Sequence, residues 1–200
     1  AQGTAWLLRH HPAEFLAAVL SVEPCGFWPI STLVEEAKRR GVNVHGPCLN
    51  RSQATLWNVE ETESEGQAIR CPLSYVKGVS KILAESLIEE RERQGDFQSL
   101  RTTCQRLSFV PRESLEWLIL AGALDCVSQS RRRALWSLPA LHRSPDSSKP
   151  MAPGQGALPV VVIPSLPPEL PDFTGMERED QEWQALGFSP MGHPLRRLRE

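Results

Sequence analysis

Apolar residues recur at helical spacing over most of the chain, interrupted by proline and glycine. Trp6, Leu7 and Leu8 lead into His10-His11-Pro12. Proline is tolerated in a first helical turn, so Pro12 predicts the end of one helix and the start of the next. Phe15, Leu16, Val19 and Leu20 continue the pattern until Pro24-Cys25-Gly26 breaks it. Thr32 followed by Glu35 predicts a capping box. Leu33, Val34 and Ala37 form the apolar face of that helix. Lys38, Arg39 and Arg40 complement its C-terminal dipole, and Gly41 is a natural residue just past its end.

Over residues 42–72 the period changes. Val42 and Val44 alternate with polar positions, and residues 56–59 and 68–71 flank an acidic stretch containing Gly66. This predicts two short strands joined by a polar turn, a small β-hairpin. Glu60, Glu61, Glu63 and Glu65 read as a solvated loop, since scattered carboxylates lack the geometry that hard cations need. Residues 73–127 return to helical spacing, and 130–142 add a short helix. Residues 143–171 are rich in Pro, Ser and Gly and read as a linker, with an apolar stretch at 160–163 able to dock as a strand. Thr174 and Glu177 predict a second capping box. The helix it opens carries Met176, Trp183 and Leu186 and stops at Gly187. The fold class is mainly α, in segments 1–41, 42–72, 73–142, 143–171 and 172–200.

The candidate chemistry sits at Tyr75-Val76-Lys77-Gly78-Val79-Ser80-Lys81. A short helix ends at Lys77, a tight turn follows, and a second helix carries Leu83, Ala84, Leu87 and Ile88 on one face, with Glu89 and Arg93 spaced to pair outside. The first N–H groups of a helix lack intrahelical partners, and a hairpin aims them outward, where a phosphate oxygen can accept from them. Gly78 allows close approach, Val79 pins the helices together, and Lys77 and Lys81 add charge. Contacts of this kind fix position on a duplex without reading sequence. An ordinary helical hairpin with a glycine turn fits the same residues equally well.

A second helical pair follows. Phe97, Leu100 and Leu107 precede Pro111 as a first helical residue, and Leu115, Leu118, Ile119 and Gly122 share a face. Arg101, Arg106 and Arg112 surround this pair. Arg131, Arg132 and Arg133 could extend a phosphate track, or simply solubilise a helix start.

Composition adds limits. The formal net charge of -2 means that any nucleic-acid contact is local. No apolar run is long enough for a membrane span, and the expected location is cytoplasmic. Cys25, Cys48, Cys71, Cys104 and Cys126 are irregularly spaced and read as reduced thiols, mostly core fillers. A start at Ala1 rather than Met fits an excised segment.

Several stretches resemble bacterial C-family DNA polymerases in collinear order. They are Thr4-Ala5-Trp6-Leu7 with His10-His11-Pro12, the run from Gly26-Phe27-Trp28-Pro29 to Gly41-Val42, Asn50-Arg51-Ser52, Tyr75-Val76-Lys77-Gly78, Leu120-Ala121-Gly122-Ala123-Leu124-Asp125, and Leu186-Gly187-Phe188 with Gly192-His193-Pro194-Leu195. The resemblance implies the end of a helical fingers region, then a tandem helix-hairpin-helix domain that binds duplex or primer-template DNA. The usual turn of the helix-hairpin-helix motif is Gly-hydrophobic-Gly, and Ser80 departs from it.

The residues Arg131-Arg132-Arg133-Ala134-Leu135-Trp136 look more like the error-prone branch than the replicative polymerase III alpha branch. The family's palm carboxylates and their magnesium would lie upstream, so no catalytic residue or cofactor is expected here. Asp125 reads as a turn residue and His193 as part of a structural turn. Gln155, Leu158 and Val160 stand where replicative members carry a sliding-clamp motif, without its aromatic ending. The competing readings are a repair scaffold that uses the same hairpins and a protein-interaction module.

Overall fold

A computed structural model describes residues 2–22, 28–62, 66–142 and 170–192 of the chain. Helix α1 (Gln2–His10) and α2 (Pro12–Ser21) meet at His11, with Pro12 opening the second helix as its residue type favours. Helix α3 (Ile30–Arg39) starts earlier than its Thr32-Glu35 pair suggests. Pro29, at φ -67 and ψ 152, is the N-cap, and Thr32 lies inside the first turn. The capping box there does not form, because Pro29 already sets the entry dihedral, and Glu35 turns to Lys38 at 2.9 Å instead. Lys38 also donates to the carbonyls of Ser189 and Gly192, both at 2.9 Å, tying α3 to the far end of the chain.

Three strands follow where two were expected. β2 (Asn58–Thr62) and β3 (Gly66–Arg70) form the antiparallel hairpin, and β1 (Asn43–His45) adds parallel to β3, giving the order β1-β3-β2. Three residues are too few for alternation to mark a strand by itself. Glu60 and Glu61 belong to β2, not to a loop. Glu60 is largely buried and binds Arg70 through both oxygens, at 2.6 and 2.7 Å, while His45 Nδ1 lies 3.1 Å away. Burial opposes the charge on Glu60, but Arg70 and then His45 hold its carboxyl below the usual range.

A single 3-10 turn (Leu73–Tyr75) leads to α4 (Lys81–Gln94), α5 (Leu100–Arg106), α6 (Arg112–Leu120), α7 (Arg131–Leu141) and α8 (Gly175–Leu186). Pro111 is the N-cap of α6, not its first residue. Gly122, at φ +84, lies past the end of α6 and does not extend its apolar face. In α4, Arg93 pairs with Glu90 and not with Glu89. Glu90 is buried and also binds Arg106 Nε at 3.1 Å, so its charge gains more from a partner. In α8 the capping box of Thr174 and Glu177 forms, and Gly187 ends the helix at φ +77. The helix buries Glu182, Ala185 and Leu186, while Met176 and Trp183 are exposed.

One cluster of buried side chains runs from Ala13 to Phe188 and includes Leu20, Ile69, Leu73, Leu87, Leu118 and Leu138. Trp57 joins Tyr75 and Phe188 at ring separations of 5.7 and 5.9 Å, and Tyr75 donates to the Leu20 carbonyl at 2.8 Å. The hairpin's first arm is thus held by α2 and by the segment after α8. Asn50 and Phe97 exchange two hydrogen bonds, at 2.9 and 3.0 Å, and Ser52 donates to the Cys71 carbonyl at 2.7 Å. The Asn50-Arg51-Ser52 stretch therefore folds the connector onto the loop after α4 and the residue after β3. Of the cysteines, Cys71 and Cys104 are buried, Cys48 is half-buried and Cys126 is exposed. No described helix is long and apolar enough to cross a membrane. Cys25, the 160–163 stretch, His193 and the Gln155, Leu158 and Val160 group fall outside the described residues.

Asp172 joins the last segment to α7. It accepts from Ser130 Oγ at 3.0 Å, from the Arg132 N–H at 3.2 Å, and from Arg178. Burial raises its carboxyl, but these donors outweigh burial and bring it from 3.8 to about 2. A folded-state value below the unfolded one stabilises the fold above the unfolded pKa, and that stability is lost as pH falls from 3.8 towards about 2. Asp172→Asn is expected to cost about 1 kcal/mol near neutral pH, after solvent screening, and almost nothing at the acid end of that window. Urea unfolding of both proteins across the window checks this.

Candidate nucleic-acid interface

The turn between the 3-10 helix and α4 is built as a cradle. Lys77 and Gly78 are exposed, Val79 is 6% exposed and points into the core, and Ser80 caps α4. The Val79 N–H closes the turn onto the Val76 carbonyl at 3.0 Å. Ser80 Oγ accepts from the Leu83 N–H at 3.2 Å, and the Ala84 N–H returns to the Ser80 carbonyl at 2.9 Å. The N–H groups of Lys81 and Ile82 open the helix and meet no acceptor among the described residues. Serine thus does the capping work of the missing second glycine and leaves two donors facing solvent.

Gly78 has two reasons to be glycine. Its φ is +74, and a Cβ there would stand 3.2 Å from Trp117 Cδ1. Both neighbours come from α6: Ser114 Oγ donates to the Gly78 carbonyl at 2.7 Å, and the Lys77 ammonium lies over the Trp117 ring, 4.2 Å from its centroid. That cation–π contact holds the charge beside the turn instead of letting it sweep through solvent. The Lys77 N–H is fixed to the Ala185 carbonyl of α8 at 2.9 Å. Sequence reasoning missed Ser114 and Trp117. They lie in another helix, and no local spacing marks them.

The second turn, between α5 and α6, repeats the first without its open side. Val110 is 1% exposed, and its N–H closes onto the Leu107 carbonyl at 3.0 Å, as Val79 does onto Val76. Pro111 stands in the capping place of Ser80, and Arg112 in that of Lys81. Phe109, 45% exposed, occupies the place of Gly78. A bulky ring there blocks close approach, and Arg112 is paired with Glu116 at 2.8 Å. The second turn braces the first through Ser114 and Trp117.

The three arginines have three fates. Arg131 is 6% exposed and its guanidinium binds Asp125 at 2.7 Å, Glu182 at 3.1 Å and the Leu120 carbonyl at 3.2 Å. Its guanidinium is engaged by these partners, which argues against a place for it in a phosphate track. Asp125 is a turn residue, as its sequence context suggests. Arg132 lies 4.4 Å over the Phe173 ring and pairs with Glu177 at 3.4 Å. Arg133 is exposed and gives only its N–H to the Ser130 cap. Arg106 is likewise held, by Glu90 and by the Gly95 carbonyl at 2.9 Å. The hairpin lysines Lys77 and Lys81 remain the charges placed at the turn. Among the described residues no group of three His, Cys, Asp or Glu side chains stands where it could hold a metal ion.

Residues 41–134 match the family described as helix-hairpin-helix motif, a span that takes in the sheet and both turns. Over 98% of the chain, an error-prone DNA polymerase of Mycobacterium tuberculosis strain H37Rv is 38% identical and one of Symbiobacterium thermophilum is 34% identical. A DNA polymerase III subunit alpha of Xylella fastidiosa is 31% identical over 96% of the chain. The chain spans only 17%, 21% and 16% of the lengths of these relatives. By sequence, the chain is similar over almost its whole length to one stretch of bacterial DNA polymerases, and its residues 41–134 carry the helix-hairpin-helix match.

Proposed function

We propose that this chain is the duplex-gripping stretch of a bacterial DNA-directed DNA polymerase, with the Lys77–Lys81 turn as the contact. The observation that carries it is the cradle itself: an exposed glycine turn packed against Trp117, two unpartnered N–H groups at the start of α4, and a lysine held in place over Trp117. Phosphate oxygens suit such a site, because the donors are fixed before binding and no Cβ intrudes. The grip reads no base edges and adds affinity on any sequence. In this reading residues 1–41 end a fingers region, residues 73–142 are the DNA-binding domain, and nucleotidyl transfer with magnesium belongs to the whole polymerase, working in the cytoplasm. The error-prone branch is favoured by the arginine run at the start of α7 and by the names of several relatives. A sliding-clamp contact through Gln155, Leu158 and Val160 rests on their sequence alone.

Lys77→Ala combined with Lys81→Ala is the test. Removing two phosphate-facing charges is expected to weaken duplex binding by a similar factor on unrelated sequences and to lower the slope of log affinity against log salt by about two. Fluorescence anisotropy with labelled duplexes over a range of salt concentrations measures both. Unchanged affinity would remove the hairpin from the interface, and a strong sequence preference would argue against a backbone grip. Binding that is absent at every salt concentration would favour the protein-interaction module.

A further inference from the structure

We propose that Cys48 and Cys126 form a peroxide-oxidisable dithiol, a modification site at which the loop after β1 becomes covalently tied to the turn after α6. The two side chains are within hydrogen-bonding reach of each other and open into one surface cavity of about 300 Å³. Their backbones are already joined, since the Leu49 N–H donates to the Ala123 carbonyl at 3.0 Å. The Cys48 N–H is fixed to Ser52 Oγ at 2.9 Å, and Cys126 Sγ lies 3.7 Å from the Ala123 carbonyl oxygen. The loop after β1 and the turn after α6 therefore lie side by side. Cys126 is exposed and Cys48 half-buried, so a small oxidant reaches both.

The surroundings divide the roles. The Cys126 S–H, then the backbone N–H groups of Asn50 and Arg51, and the charge of Arg70 favour the Cys48 thiolate. Against the opposing pull of burial, they bring its pKa from 9.0 down to about 6. Cys126, giving its proton to that hydrogen bond, is pushed up and stays a thiol. His45, Asp125, Arg131 and Glu182 line the same cavity, but Asp125 and Glu182 are engaged by Arg131. Cys71 and Cys104 are buried, and burial raises both thiols, so they are poor nucleophiles.

The chemistry balances with hydrogen peroxide as the oxidant. The Cys48 thiolate attacks one peroxide oxygen, the O–O bond breaks, and the products are a Cys48 sulfenic acid and hydroxide, which takes up the proton Cys48 had lost. The Cys126 sulfur then attacks the Cys48 sulfur. The S–S bond forms, the S–O bond breaks, and the Cys126 proton leaves with the hydroxide as water. Two thiols lose two electrons in all, and one peroxide becomes two waters.

The test treats the chain with one equivalent of hydrogen peroxide, alkylates free thiols, digests, and maps the peptides by mass spectrometry. A Cys48–Cys126 linked peptide is expected, with two of the five thiols lost to alkylation and both restored by dithiothreitol. In Cys126→Ser, dimedone should add to Cys48 after peroxide. Five alkylatable thiols, a bridge to Cys25 in place of Cys126, or dimedone on a cysteine other than Cys48 would overturn the proposal. Should Cys126→Ser fail to fold, the peptide map of the unaltered chain decides alone.

Discussion

Arg131→Met is expected to destabilise the chain by about 3–5 kcal/mol, the range for removing one partner of a buried charge pair. Burial opposes the Arg131 charge, but Asp125 and Glu182 more than restore it. Removing the guanidinium leaves Glu182, 8% exposed, with only the Ser189 hydroxyl at 2.9 Å. It also frees the Leu120 carbonyl at the end of α6. The arginine is fitted to its place: a Cβ on Gly122 would lie 2.9 Å from Arg131 Cζ, so this glycine keeps the guanidinium seated. Urea unfolding measures the loss. Arg133→Ala, on the exposed side of the same run, is expected to stay within about 0.5 kcal/mol of the parent. Equal effects at the two positions would mean that Arg131 is not the buried member.

Gly78→Val is expected to weaken duplex binding by roughly ten- to a hundredfold, equivalent to about 1.5–3 kcal/mol for losing hydrogen bonds to a charged group. Two costs coincide. A β-branched residue is strained at φ +74, by about 1–3 kcal/mol, and its side chain meets Trp117. If the turn swings to relieve the clash, the Lys81 and Ile82 N–H groups lose their common aim and Lys77 leaves the ring. Circular dichroism separates lost binding from lost fold. A Gly78→Val chain that folds and binds duplex normally would show that close approach at this turn is not needed.

Local rules read well where a single residue type decides. Pro12 divides α1 from α2, the Thr174–Glu177 box opens α8, and Gly41, Gly78 and Gly187 take the positive φ that their places require. Rules fail where a distant partner decides. Arg131 resembles its two neighbours in sequence and differs only because Asp125 and Glu182 close over it. Glu60 looks like one of a run of loop acids until Arg70, on the neighbouring strand β3, binds it. β1 is too short to show alternation and exists because β3 offers a free edge. The candidate site divides in the same way. Lys77 to Lys81 are legible as a motif, whereas the features that set their geometry, Ser114, Trp117 and the Ala185 carbonyl, come from α6 and α8. The asymmetry of the two turns is also legible in hindsight: Phe109 and Pro111 stand where Gly78 and Ser80 do, and neither suits a phosphate.

The most direct measurement is an amide-resolved NMR titration of the chain with two duplexes of unrelated sequence. The largest shifts are expected at the Gly78, Ser80, Lys81 and Ile82 amides and at the Trp117 indole, the same for both duplexes, with the Arg112 and Glu113 amides of the second turn moving little. Shifts centred on α7 or on the second turn, with the Gly78–Ile82 amides unmoved by saturating duplex, would contradict the hairpin grip.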